Sequence, residues 1–182
     1  MKLKIMNIFT KIWLLLVLVI SSTSWAQFDS SYQLGAGDVL RISVFGEPDL
    51  SIEQVRLNDM GTFSYPFLGV VRAKGETASG VERQIVQGLQ GDYLINPKVT
   101  VSVLEYREFF INGEVRNPGA YPFKPGMTLR TAVALAGGFT ERASSRGFNV
   151  IKDTDTNKKP QKIQLNSQVM PGDIITIEQS FF

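Results

Sequence analysis

The sequence contains no histidine and no cysteine. Without them there is no Ser-His-Asp triad, no cysteine nucleophile and no zinc site of the usual ligands. No disulfide can form, even in a compartment that permits one, so the fold must rest on its apolar core. A bacterial lipid anchor needs a cysteine at its cleavage point and is excluded on the same chemistry. Acidic residues are missing before Asp29. That stretch carries Lys2, Lys4 and Lys11, then an apolar run from Ile12 to Ile20, then Ser21, Ser22, Thr23, Ser24, Trp25 and Ala26. A membrane-spanning helix needs about 20 apolar residues, and this run has about half that. Basic residues, a short apolar run and small residues before a cut are the parts of a secretory signal. Residues 1–26 are therefore expected to be a cleaved signal peptide and not a transmembrane anchor.

Removing Lys2, Lys4 and Lys11 from the 19 cations leaves 16 against 17 carboxylates, a net charge near −1. The basicity belongs largely to the signal. A nucleic-acid partner, which needs a concentrated basic face, is not expected. The remaining length suits one domain or two small ones.

Beyond Tyr32, strand signals dominate the chain. Leu40, Ile42 and Val44 alternate with Arg41 and Ser43, the pattern of a half-buried strand. Glu47-Pro48-Asp49 breaks it. A second strand around 53–57 reaches the turn Asn58-Asp59-Met60-Gly61, which reads as a hairpin. Thr62 to Val71 is further strand material. Val81, Ile85, Val86 and Leu89 then recur at helical spacing, predicting a helix over 78–90, with Thr77 and Ser79 as N-cap candidates and a capping box at Ser79-Gly80-Val81-Glu82. Val99, Val101 and Val103 share one face of a strand that closes a first unit near Glu105.

A second unit opens with a strand from Phe109 to Val115 and turns at Asn117-Pro118-Gly119. Thr128 is placed to cap a short helix with Leu129, Val133 and Ala136 on one face, and Gly137-Gly138 to end it in a left-handed cap. Strands are expected over 148–152, 162–165 and 174–178. The fold class is thus α+β, with two small β-rich domains. The turn and cap positions singled out are Gly37, Asp38, Gly61, Gly119, Gly138, Gly172 and Asp173. Gly37-Asp38-Val39-Leu40-Arg41-Ile42 echoes Gly172-Asp173-Ile174-Ile175-Thr176-Ile177. In each, glycine permits the turn and the aspartate is expected to bond its own following amides in an Asx-turn that launches a strand. Two copies are too few for a repeat array.

Several of these segments resemble a known family in order. Tyr32 to Val44 resembles the opening of the polysaccharide biosynthesis/export domain. Asn58 to Gly69 is similar to its central hairpin, and Asn96-Pro97 through Val103 completes it. Ile111 to Tyr121, Thr128 to Thr140 and Pro171 to Ile175 are similar to the start, helix and final strand of a soluble-ligand-binding β-grasp (SLBB) domain. The resemblance divides the chain into an export domain over 27–106 and an SLBB domain over 107–182. It implies a Wza-like capsule or exopolysaccharide export protein. Such a protein forms periplasmic rings, is not an enzyme and carries no cofactor. Its implied partners are the polysaccharide, other copies of itself and an inner-membrane polysaccharide co-polymerase. The complete channels of the family add an acylated cysteine and a C-terminal pore helix. Here Gln179-Ser180-Phe181-Phe182 follow the last strand. The expectation is a short member that sits in the periplasm against the outer membrane and works with a separate outer-membrane protein.

Competing readings are weaker. Terminal Phe182 suggests an outer-membrane barrel, but barrels need at least 8 alternating strands and no such helices. Gly35-Ala36-Gly37 lacks the third glycine of a dinucleotide loop and precedes a strand. Glu47, Asp49, Asp59 and Asp173 could pair as a glycosidase, yet all sit in turns where carboxylates are structural or solvated. Phe63, Tyr65, Phe67, Tyr106, Phe109, Phe110, Tyr121 and Phe123 could stack on sugars, but two small cores need most of them. The alternative from a different class is a monomeric periplasmic module that binds a glycan or small ligand through the second domain.

Overall fold

A computed structural model describes residues 31–180. The expected signal at 1–26 and the terminal Phe182 lie outside the described residues. The first unit builds a three-stranded antiparallel sheet in the order β2-β1-β5. Strand β1 (Val39–Val44) buries Leu40, Ile42 and Val44 and exposes Arg41 and Ser43, as its alternation demands. It is flanked by β2 (Ile52–Arg56) and β5 (Val99–Glu105). A 3-10 turn at Pro48–Leu50 separates β1 from β2. Strands β3 (Thr62–Tyr65) and β4 (Gly69–Arg72) form their own hairpin.

That pairing corrects the hairpin expected at Asn58–Gly61, because β2 pairs with β1 and not with β3. The turn instead carries the chain between two sheets. Asn58 Oδ1 accepts from Met60 N at 3.1 Å and Thr62 N at 3.0 Å, closing a local loop. The Gly61 carbonyl then accepts from Ala73 and Lys74 and pins the far end of β4.

Helix α1 (Ala78–Leu89) lays Val81, Ile85 and Leu89, all fully buried, into the first core. Full burial of each such side chain contributes roughly 1.5–3 kcal/mol. The expected Ser79 capping box is not formed. Thr77 is the N-cap, in an extended conformation, and its hydroxyl accepts from Gly80 N at 3.1 Å. Glu82 is used elsewhere, accepting from Val101 N at 2.9 Å and tying the helix to β5.

The second unit is a mixed five-stranded sheet in the order β7-β6-β10-β8-β9. Strands β6 (Phe109–Gly113) and β10 (Ile174–Gln179) run parallel at its centre. Strands β7 (Gly119–Tyr121), β8 (Ala143–Ile151) and β9 (Gln161–Lys162) add antiparallel. Helix α2 (Leu129–Leu135) buries Leu129, Ala132 and Val133 against a core that includes Phe109, Ile111, Ile175 and Ile177. Thr128 caps it in a reciprocal box with Thr131. Its end is a Schellman motif: Gly138 N donates to Val133 O at 2.9 Å and Gly137 N to Ala134 O at 3.1 Å. The protein is therefore α+β in two domains. Among the described residues no helix is long and apolar enough to cross a membrane.

Candidate functional site: the junction of the two units

The two hydrophobic cores meet through Tyr106, which packs against both. Its ring meets Tyr32 edge-on at 4.9 Å and Phe123 at 5.5 Å, so an aromatic ladder runs from one core to the other. The next residue, Arg107, carries the polar half of the junction.

Two turns of the same construction face Arg107. In the first, Asp38 N donates to Gly35 O at 3.2 Å, and Gly35 N donates back to Asp38 Oδ2 at 2.8 Å. In the second, Asp173 N donates to Met170 O at 3.2 Å, and Met170 N to Asp173 Oδ2 at 2.9 Å. Gly37 at φ +92° and Gly172 at φ +79° hold the left-handed position each turn requires. The carboxylates therefore accept from the amide three residues earlier. This differs from the expected Asx-turn, which would bond the following amides. The following amides belong to β1 and β10, where the sheets bond them.

Asp38 is fully buried and satisfied from several sides. The Tyr32 hydroxyl donates to its two oxygens at 2.9 and 2.7 Å. Arg107 N donates to Oδ1 at 2.8 Å, and Arg107 Nη1 to Oδ2 at 3.1 Å and to the Tyr32 hydroxyl at 2.5 Å. Arg107 Nη2 reaches across to Asp153 at 2.8 Å, and Lys158 adds a second cation to Asp153 at 3.3 Å. Asp173, equally buried, takes a single cation, Lys152 Nζ at 2.7 Å, and its Oδ1 has no hydrogen bond from the described residues.

Burial, then the Asp38 carboxylate, push the Tyr32 hydroxyl far above its ordinary range, with Arg107 opposing. Burial acts to lower the Arg107 pKa. The pull of Tyr32, Asp38 and Asp153 outweighs it, so the guanidinium is held charged above its usual value. Space around that guanidinium is tight. A Cβ on Gly35 would lie 2.5 Å from Arg107 Nη1, and one on Gly172 would lie 2.9 Å from Arg107 Nε and 2.8 Å from Asp153 Cγ. Arg107 is thus wedged between the two turns.

The chain thus brings Gly37, Asp38, Gly172 and Asp173 to one junction. Gly61 (φ +71°) lies at the β2–β3 turn and Gly138 (φ +90°) at the end of α2, away from it. Gly119 opens β7, paired with Ile111. Of the aromatic residues, Phe63, Tyr65, Phe109 and Phe123 are buried, Tyr106 and Tyr121 half-buried, and Phe67 and Phe110 exposed. Of the four carboxylates weighed as a hydrolase pair, Asp173 is committed to Lys152, Glu47 is half-buried, and Asp49 and Asp59 are exposed in turns. Sequence reasoning missed Arg107, Asp153 and Lys152. Only the place of Arg107, a cation in the short linker between two units, could have marked it.

The junction falls between two recognisable stretches. The family model for polysaccharide biosynthesis/export protein matches residues 26–104, and the SLBB domain model matches residues 109–164. This chain belongs to the polysaccharide biosynthesis/export family. It is 32% identical over 157 residues to the exopolysaccharide production protein ExoF of Rhizobium meliloti (strain 1021), covering 80% of this chain and 37% of ExoF. It is 30% identical over 132 residues to the EPS I polysaccharide export outer membrane protein EpsA of Ralstonia nicotianae, covering 59% of this chain and 34% of EpsA. The chain therefore spans little more than a third of the curated relatives it matches. In this family member, Arg107 lies in the gap between the export and SLBB matches and joins the two.

Proposed function

We propose that this protein is a non-catalytic component of a polysaccharide export machine, assembling from several copies into a periplasmic ring that passes polymer towards the outer membrane. The observation that carries the reading is the succession of export and SLBB matches along one chain, with relatives named for exopolysaccharide production and export. The domains are taken as 27–106 and 107–182 behind a signal at 1–26. The partners are the polysaccharide, an inner-membrane co-polymerase and a separate outer-membrane protein.

Physical features support a structural role. The junction spends its buried charges on one another, which suits a fixed angle between domains and not a reaction. A fixed angle is what lets head-to-tail contacts close into a ring. The export domain also leaves large apolar side chains in water: Phe45 is 83% exposed, Phe67 65%, Val70 73% and Ile95 95%. Phe67 stacks on Tyr93 at 4.6 Å, making a local apolar platform. Exposed apolar surface of this kind marks interaction sites, and neighbouring copies would cover it.

Two measurements test the reading. Deleting the gene should remove extracellular polysaccharide, and the intact gene should restore it; unchanged extracellular polymer would end the export reading. Native mass spectrometry of the protein should show a closed homo-oligomer that Ile95→Asp weakens. A monomer at every concentration would favour the ligand-binding module instead.

A further inference from the structure

We propose that the SLBB domain carries a groove for an anionic saccharide, read by Arg130, Arg146 and Lys162. The groove has a volume of about 610 Å³, within the 300–1,000 Å³ of small-ligand sites. It runs between β8, the segment after β9 and the first turn of α2. No carboxylate lines it. None of its three cations forms an ion pair among the described residues. Elsewhere Arg41, Arg56, Arg107, Arg142, Lys152 and Lys158 each meet a carboxylate. What sets these three apart from the other unpaired cations is that they line one groove with no carboxylate in its wall.

Its walls are fixed to one another by backbone bonds. Arg130 N donates to Leu165 O at 2.9 Å, and Ile163 N to Phe148 O at 2.9 Å. Lys162 pairs with Asn149 across β8 and β9. The three cations thus stand on a preorganised frame, which lowers the ordering cost of binding. Two of them are arginines, whose planar forks suit carboxylates in a bidentate fashion. The half-buried Ile163 and Leu165, backed by the buried Phe148, give the groove an apolar base for the C–H face of a sugar ring, while Gln164 and Asn166 offer amides to hydroxyls. A carboxylate-bearing sugar unit matches all three surfaces. A neutral glycan would leave the cations unanswered, and a plain polyanion would leave the apolar base unused. The choice of a saccharide as occupant rests on the export reading above.

The test is calorimetric titration of the full chain with oligogalacturonate, with a malto-oligosaccharide of equal length and with oligoglutamate. Oligogalacturonate should bind, more weakly as salt is raised, and the other two should bind less. The triple variant Arg130→Gln, Arg146→Gln, Lys162→Gln should weaken binding roughly 10-fold, since exposed charges each contribute modestly. Replacing three other unpaired cations, Arg72, Arg83 and Lys124, with Gln should leave it unchanged. Equal binding of the malto-oligosaccharide or oligoglutamate would overturn the proposal, as would a triple variant that melts normally and binds as before. The gene deletion separates this inference from the export reading. If deletion abolishes extracellular polymer and the triple variant shows no loss of binding, the groove alone fails. If deletion leaves the polymer in place, the export reading fails, and the titration still decides the groove.

Discussion

The turns at Asp38 and Asp173 are built alike and partnered differently. Each closes on a glycine at positive φ, buries its carboxylate and caps the amide three residues back. Asp38 then faces the linker, where it gains Arg107 and the Tyr32 hydroxyl. Asp173 instead gains Lys152, whose side chain is 26% exposed. The local geometry is the same because the same Gly-Asp step precedes a strand in each unit. The electrostatic depth differs because Arg107, although wedged between both turns, bonds Asp38 and Asp153 and not Asp173. Identical turns can therefore carry unequal shares of stability, set by what packs against them.

The largest test of that contrast removes each carboxylate. Asp38→Ala takes from Arg107 its buried partner, leaves it only the more exposed Asp153, and should cost about 3 kcal/mol. Asp173→Ala leaves a lysine that can reach water, and should cost about 1–3 kcal/mol. Urea unfolding of both variants measures the order, and equal losses would break the contrast.

Next come the glycines that flank Arg107. Gly172→Ala should destabilise by about 2 kcal/mol, from its positive φ and the crowding of Asp153 and Arg107. Gly35→Ala acts through crowding of the guanidinium alone, so much of its cost should vanish in an Arg107→Ala background. A double-mutant cycle should give coupling of about 1 kcal/mol. Additive costs would show that Arg107 is not wedged there.

A smaller effect lies away from the junction. Gly138→Val places a β-branched residue at φ +90° beside open space and should cost about 1–2 kcal/mol, seen as a lowered melting temperature. An unchanged melting temperature would defeat the cap.

The smallest effect at neutral pH is that of Tyr32→Phe, about 1 kcal/mol from the lost hydroxyl bonds. Its signature is at alkaline pH. The folded-state pKa of Tyr32 is raised, so its contribution is complete below the unfolded value of about 10 and shrinks as pH rises towards the folded value. Wild-type stability should fall above pH ~10, and the variant should lose less over that range. Parallel pH profiles would exclude Tyr32 as the source.

Much of the fold was legible in the chain. The alternation of Leu40, Ile42 and Val44, the helical stripe of Val81, Ile85 and Leu89, and the Thr128 and Gly137-Gly138 bounds of α2 are local patterns with local causes. The Gly-Asp echo was legible too, because a glycine at positive φ before a strand is a requirement of the backbone. What was illegible depends on distance along the chain. Which strand pairs with β2, which amide Glu82 serves and which carboxylate Arg107 finds are decided 10 to 69 residues away. Arg130, Arg146 and Lys162 likewise share no spacing, and only the β8–β9 pairing and the docking of α2 bring them to one groove. By itself the sequence determined most of the elements, both ends of α2 and the glycine positions of the two Gly-Asp turns, since these arise from side-chain period and backbone sterics. Only the tertiary structure decided which buried charge meets which, because that choice is made where the two cores meet beside a single arginine.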